Sequence, residues 1–297
     1  MIDVNEKTVL EQELDVANIW HKPLYKTHDA NNFAYTDGEY VWVKLARHPD
    51  VADRQKTELT AVKKILSAGI STVQPLLSKP LPVGERWATV WSYVPDSVRL
   101  QADEWTPQLA EKVWRQVVAL HDIPPPYTVQ PATGLTEKMH NRIIETNTTS
   151  IAGEVLLELC EMVSPRWDAV VSTAVDNGTA VWCHGDVHSG NIMLSKGQPL
   201  LIDWESTVIA PPEFDIAGMR HNIVRIGGRP DVWETMTQTL AGYNQETIML
   251  AEQVKALSAV GYLLQFDDTT PVVSHRLRAL YDYIPWDDMP PRLTPYI

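Results

Sequence analysis

The sequence predicts an α+β chain, in which a strand-rich part at residues 1–95 precedes a larger, mainly helical part at residues 97–297. Three observations carry this. Alternating β-formers run through "FAYTDGEYVWVKL" and "RWATVWSYVPD". Helix start and stop signals take over from Thr106 onward. One β island, "CHGDVHSGNIMLSKGQPLLIDWE" from Cys183 to Glu205, interrupts the helices. With 297 residues, 44% of them apolar, the chain can bury a core as one large domain or two joined lobes.

The first segment, "MIDVNEKTVLEQELD", is acidic and lacks the basic-then-apolar order of a secretory signal. No apolar run reaches the roughly 18 residues a membrane span needs. Cys160 and Cys183 are far apart, which speaks against a disulfide framework and fits a reducing cytoplasm. In "FAYTDGEYVWVKL", Asp37-Gly38 suits a two-residue hairpin turn of type I′. Tyr40, Trp42 and Lys44 then alternate onto one face of the second strand. "DVADRQKTELTAVKKILSAG" predicts a helix with Leu59, Val62, Ile65 and Leu66 as its apolar stripe and Gly69 as its stop. Glu58 lies beside that stripe, and an inward carboxylate wants a cation, for which Lys44 is the candidate. "RWATVWSYVPD" predicts a strand leaving into a linker near Pro95. Thr106-Pro107 supplies an N-cap and first-turn proline for a helix to about His121. Pro124 to Pro126 break it, Ser164-Pro165 repeats the start signal, and Asn177-Gly178 supplies a stop.

Net charge is −13, and only −2 of it falls in residues 1–96. Such a surface is a poor partner for nucleic acid, which needs clustered Lys and Arg. It favours a cationic small substrate, with plain solubility as the competing reading.

The β island reads as strand, loop, strand, turn, strand. A hairpin across "SKGQP" with Leu194 opposite Leu200 sets Asn191 opposite Asp203. Directly opposed Cβ atoms lie about 4.5–5.5 Å apart, so an amide oxygen and a carboxylate there can share a hard cation such as Mg²⁺. Asp186, on the loop before Asn191, adds a free carboxylate. Phosphoryl transfer needs such a set: metal ligands, an Asp that takes the acceptor proton, and a lysine held by a glutamate. His184, Asp186 and Asn191 reproduce the spacing of a kinase catalytic loop. Asp203 supplies the later metal carboxylate, with Trp204-Glu205 where protein kinases carry Phe-Gly.

The run HGDxHxGN followed by "LLIDWE" resembles the aminoglycoside phosphotransferase family, which includes choline-kinase-like and other small-molecule kinases. The likeness spans residues 20–290, and its specific part is 183–205. It implies a two-lobed protein-kinase-like fold, with a nucleotide-binding lobe at 1–95, a hinge near 91–96 and a helical lobe at 97–297 holding the catalytic loop and acceptor site. It implies ATP- and magnesium-dependent transfer of the γ-phosphate to a hydroxyl of a small molecule, such as an aminoglycoside, amino sugar or amino alcohol, with GTP as the alternative donor. Asp186 would be catalytic, and Asn191 and Asp203 would hold magnesium. Lys44 would meet the nucleotide phosphates and pair with Glu58, and Ser92, Tyr93 and Val94 would face the adenine. His184 and Asp215 would support the loop.

Departures from the pattern mark where roles are open. No Gly-rich loop precedes Lys44; "HDANNFAY" stands there, with Asn31 and Asn32 either phosphate donors or turn formers. Glu205 is a candidate near a metal-bound water or substrate, against a surface ion pair. Asp267, Asp268, Asp287 and Asp288, with Tyr283 and Trp286, suit an amino sugar or quaternary amine, against a solvated loop. Arg220 and His221 would instead favour an anionic or neutral acceptor. Two rivals stand beside the kinase reading. One is a metal-dependent hydrolase built on His184, Asp186 and His188, although the other seven histidines form no paired ligand motif. The other is a kinase fold that binds nucleotide without transferring phosphate. No Walker loop and no G-x-S-x-G occur.

Overall fold

A computed structural model describes residues 4–29, 32–47, 49–135, 139–141, 144 and 151–263. The chain divides into two compact units. One comprises Met1–Leu100, Lys112–Val129 and Ser189–Thr207, and the other Gln101–Glu111, Gln130–His188 and Val208–Ile297.

The first unit is built on a five-stranded antiparallel sheet, order β1-β2-β3-β5-β4. Its strands are β1 (Tyr25–Asp29), β2 (Asn32–Thr36), β3 (Val41–Ala46), β4 (Leu81–Val83) and β5 (Arg86–Ser92). Val41, Val43 and Leu45 point into the core with Val90 and Tyr35, while Trp42 and Lys44 face the other way. A helix not anticipated from the sequence, α1 (Val4–Val16), lays Leu10 and Leu14 against that core. Its charged residues obscure the stripe, because two fully buried leucines four apart do the packing.

The predicted strands at Asp37-Gly38 form, but the turn between them is longer than the two-residue one expected. Thr36 pairs with Trp42, and Asp37 to Tyr40 make the connection. Asp37 Oδ1 accepts the amides of Glu39, Tyr40 and Val41 at 2.8–3.0 Å, and Oδ2 accepts that of Lys22 at 3.0 Å. A carboxylate that caps four amides outweighs the preference of Asp-Gly for the tight turn. Helix α2 (Pro49–Ser67) buries Leu59, Val62 and Ile65 as expected and stops at Gly69, whose φ is +81°.

A second sheet in this unit, order β6-β8-β9, contains β6 (Val98–Arg99), β8 (Ile192–Ser195) and β9 (Gln198–Leu201). Its hairpin register differs by one from the expected one. Ser195 pairs with Gln198 and Ile192 with Leu201, and Asn191 O accepts the Ile202 amide at 3.0 Å. Lys196 and Gly197 form a two-residue turn with φ of +51° and +73°, the left-handed pair a type I′ turn requires. Asn191 therefore opposes Ile202, and Asp203 falls one residue beyond the ladder.

Helix α3 (Pro107–His121) starts where the Thr106-Pro107 signal placed it, with Thr106 Oγ1 accepting the Leu109 amide at 3.2 Å. In the second unit, α4 (Ile151–Asp176) overrides another expectation, because it runs straight through Pro165. Leu156, Leu159, Cys160 and Val163 before the proline, and Trp167 and Val171 after it, are all at most 3% exposed. One continuous buried stripe outweighs the ~3 kcal/mol a mid-helix proline costs. The helix ends at Asn177-Gly178, with Gly178 at φ +67°. Strands β7 (Val181–Cys183) and β10 (Val208–Ala210) pair antiparallel. After them come α5 (Glu213–Arg220), a π-helical turn at His221–Ile226, α6 (Pro230–Met236) and α7 (Gln245–Leu263). Among the described residues, no helix is long and apolar enough to cross a membrane.

Candidate active site

In the first unit, Lys44 is the centre of a carboxylate cluster. Its place on β3 faces it away from the core, and its Nζ donates to Glu58 Oε1 at 2.7 Å and to Asp203 Oδ1 at 2.8 Å. Glu58, on α2, is 1% exposed. Asp203 reaches the lysine because the chain turns left-handed there, with φ +67° and ψ +59°, directly after β9. The next residue explains how that turn is held. Trp204 is buried, its indole Nε1 donates to Thr72 Oγ1 at 2.9 Å, and its amide donates to Glu58 Oε1 at 3.2 Å. The Trp that stands where protein kinases have Phe is thus an anchor between α2 and the end of β9.

Glu205 joins the same cluster. Carboxylate oxygens of Glu58, Asp203 and Glu205 lie within 4.8 Å of one another. Burial pulls the Lys44 ammonium down, but Asp203, Glu58 and Glu205 outweigh it and raise the group well above its ordinary value. Burial pushes the Glu58 carboxyl up to about 7, opposed by Lys44 and reinforced by Asp203 and Glu205. Glu58 Oε2 is buried and has no hydrogen-bond partner among the described residues. Three carboxylates around one ammonium, with a buried oxygen unpaired, are donors that fit a divalent cation. Asn191 is 6% exposed, in the short turn that enters β8.

Ser92, Tyr93 and Val94, expected to face the adenine, lie at the end of β5 and just beyond it. The Ser92 amide donates to Gln74 O at 2.8 Å and the Tyr93 amide to Tyr40 O at 2.9 Å, while Val94 O accepts Ser97 Oγ at 2.8 Å. Asn32 begins β2, with its backbone opposite Ala46. Asn31, Asp267, Asp268, Tyr283, Trp286, Asp287 and Asp288 lie outside the described residues.

In the second unit, Asp186 sits on a loop held from several sides. Asp215, fully buried in the first turn of α5, accepts the amides of His184 and Gly185, each at 2.9 Å. His184 is also fully buried, and its Nδ1 accepts the Asp186 amide at 3.2 Å. His188 Nε2 lies 3.3 Å from Asp186 Oδ2. Burial pushes the Asp186 carboxyl up, but His188, Lys255 and His184 outweigh it and hold the group well below its usual range. Its side chain is nonetheless 44% exposed, so an ionised carboxylate is open to a hydroxyl donor. Among the described residues, the groups of three that could hold a metal do not include His184, Asp186 and His188 together, which disfavours the zinc-hydrolase arrangement. Arg220 is tied to Glu252, which Arg225 also meets at 3.2 Å.

Two contributors carry no signal in the sequence. Trp204 stands out there only as a departure from Phe. Lys255, on α7, donates to Gly185 O from a position 70 residues along the chain, and no local motif announces it.

A family model described as the phosphotransferase enzyme family matches residues 22–246. The chain belongs to that family. It is therefore a phosphotransferase, and its fold is that of solved small-molecule kinases. Amicoumacin kinase hAmiN, solved with AMP-PNP, Ca²⁺ and Ami, is 18% identical with a TM-score of 0.70 over 94% of each chain. Choline kinase LicA from Streptococcus pneumoniae is 14% identical with a TM-score of 0.67, over 93% of this chain and 99% of its own. Aminoglycoside phosphotransferase APH(3'')-Id from Streptomyces rimosus is 16% identical with a TM-score of 0.64, over 87% of this chain and 99% of its own. No curated protein sequence matches this phosphotransferase.

Proposed function

We propose that this phosphotransferase moves the γ-phosphate of ATP, with GTP as the alternative donor, to a hydroxyl of a small molecule, using magnesium. The observation that carries the reading is Lys44 held between Glu58 and Asp203 at 2.7 and 2.8 Å. An ammonium fixed by a buried glutamate is the part that meets nucleotide phosphates in this chemistry. Asp203 and Asn191 would hold the magnesium, with Glu205 beside them, and the ion would screen the charge of the phosphates. Because the Ser92 and Tyr93 amides are already taken, adenine contact at the hinge would fall on the Val94 amide.

Asp186 would accept the acceptor's proton as the hydroxyl oxygen bonds to the γ-phosphorus. The bond from that phosphorus to the bridging oxygen breaks, and the nucleoside diphosphate leaves. His184 and Asp215 would keep the loop in place for this step. The acidic surface suits an acceptor carrying an amine, and similar folds include a choline kinase and an aminoglycoside phosphotransferase. A cytoplasmic site of action agrees with two buried cysteines that are not joined in a disulfide.

The test is an ADP-release screen over aminoglycosides, choline, homoserine and hexosamines with ATP and magnesium. At least one should accelerate release, and Asp186→Asn should cut that rate by about 10²–10⁴. ATP with magnesium should also raise the melting temperature more than zinc does. Full activity in Asp186→Asn, or stabilisation by zinc alone, would overturn the reading.

A further inference from the structure

We propose that Lys255 is a positioning residue for Asp186: its ammonium fastens the Gly185 carbonyl and sets a fixed positive charge beside the carboxylate that takes the acceptor proton. The inference rests on the reading of Asp186 given above.

The argument begins with one peptide unit. The Gly185–Asp186 peptide has a carbonyl that accepts from Lys255 Nζ and an amide that donates to His184 Nδ1 at 3.2 Å. The peptide before it is held as well, because the Gly185 amide donates to Asp215 Oδ1 at 2.9 Å. Gly185 itself takes φ +82°, a region that a free loop would leave easily. With both ends of the peptide bonded, its plane cannot rotate, and the Cα of Asp186 is placed. Removing Lys255 takes away the bond that holds the Gly185 carbonyl.

Packing around the lysine is close. Its Nζ stands 3.6 Å from the centre of the Phe214 ring, an arrangement in which the ring face favours the cation. A Cβ built on Gly218 of α5 would lie 3.3 Å from Val187 O and 3.7 Å from Lys255 Cε, so helix, loop and lysine stem meet without slack. Burying an ammonium is costly, and burial lowers the Lys255 group, against Asp186 and Asp215 which raise it. An apolar side chain would fill the same space without that cost. Asp215 accepts the two loop amides, and the lysine holds the carbonyl of the peptide that leads into Asp186.

The test measures ADP release from ATP and magnesium with water as the acceptor, in wild type, Lys255→Met, Lys255→Gln, Lys255→Arg and Asp186→Asn, with melting temperatures alongside. Glutamine keeps a donor for the Gly185 carbonyl and lacks the charge; arginine keeps both. Lys255→Met should lower kcat by about 10-fold to 100-fold, part of the ~10²–10⁴ a general base supplies, with KM for ATP within twofold. Lys255→Gln should fall between, and Lys255→Arg should recover most of the rate. Should the methionine variant fail to fold, the Gln and Arg pair carries the same comparison. Wild-type kcat in Lys255→Gln and Lys255→Met, or a rise in KM equal to any fall in kcat, would overturn the proposal while Asp186→Asn stays inactive. Wild-type release in Asp186→Asn would overturn the reading of Asp186, and the proposal with it.

Discussion

Replacing Lys44 by methionine keeps the length of the side chain and removes the ammonium from the carboxylate cluster. Glu58 Oε1 at 2.7 Å and Asp203 Oδ1 at 2.8 Å both lose their cation. Leaving a buried charge unpaired costs about 3–5 kcal/mol, but two features lower that cost here. The Asp203 side chain is 37% exposed, and Glu58 can take up a proton. Burial, with Asp203 and Glu205, already holds the Glu58 carboxyl at about 7 against an ordinary 4.5, and loss of Lys44 moves it higher. A group whose folded value is raised contributes stability that is present at low pH and is lost as pH rises through that folded value. In wild type this loss is complete above about 7, whereas in Lys44→Met it continues upward. The two proteins therefore run parallel below pH 7 and diverge above it. Each pH unit of divergence is worth about 1.4 kcal/mol, which at ~2–4 °C per kcal/mol moves the melting temperature by about 3–6 °C. Thermal melts at pH 6, 7 and 8, in chelator to keep metal out, measure this directly. A gap between wild type and Lys44→Met that is the same at pH 6 and pH 8 would refute the account of Glu58. Phosphotransfer should fall by at least about 10², the scale of losing one aimed charge in a site.

Asp215→Asn leaves one of the His184 and Gly185 amides facing an NH₂ group in place of an oxygen. With charge-assisted bonds at about 1.5–3 kcal/mol each, the melting temperature should drop by several degrees and ADP release should fall with it; an unchanged melt would show that the loop does not depend on Asp215. Pro165→Ala should raise stability by up to ~3 kcal/mol in denaturant unfolding, since it restores a helix bond and removes a ring clash. A loss of stability there would mean the proline ring is needed for the packing around Trp167 and Val163. Trp204→Phe removes the indole bonds to Thr72 Oγ1 and Leu201 O, while Thr72 keeps its own bond to Leu201 O; it should cost about 0.5–1.5 kcal/mol and weaken the thermal shift with ATP and magnesium, measured by fluorescence melts.

Much of the candidate site is legible in the sequence because its signals are local. The order His184, Asp186, Asn191, Asp203 sits within one short stretch, and the turn and helix-end residues around it act on their own backbone. Periodicity on α2 was enough to pair Glu58 with Lys44, because a helix carries a carboxylate four residues from Val62 onto a known face. The hairpin register differs by one from the expected one because a five-residue "SKGQP" does not say which two residues turn; the left-handed pair Lys196 and Gly197 decides it. Pro165 does not start a helix, because start signals are weak beside the burial of a continuous apolar stripe.

From the sequence alone follow the strand-rich and helical parts, the catalytic-loop spacing and the kinase-like chemistry, since each rests on contacts between near neighbours. Only the tertiary structure brings Asp203 to a lysine 159 residues earlier, makes Trp204 an anchor on Thr72, and sets Lys255 on the Gly185 carbonyl. Those meetings depend on how helices and sheets pack, and a side chain carries no local mark of the partner that packing will give it.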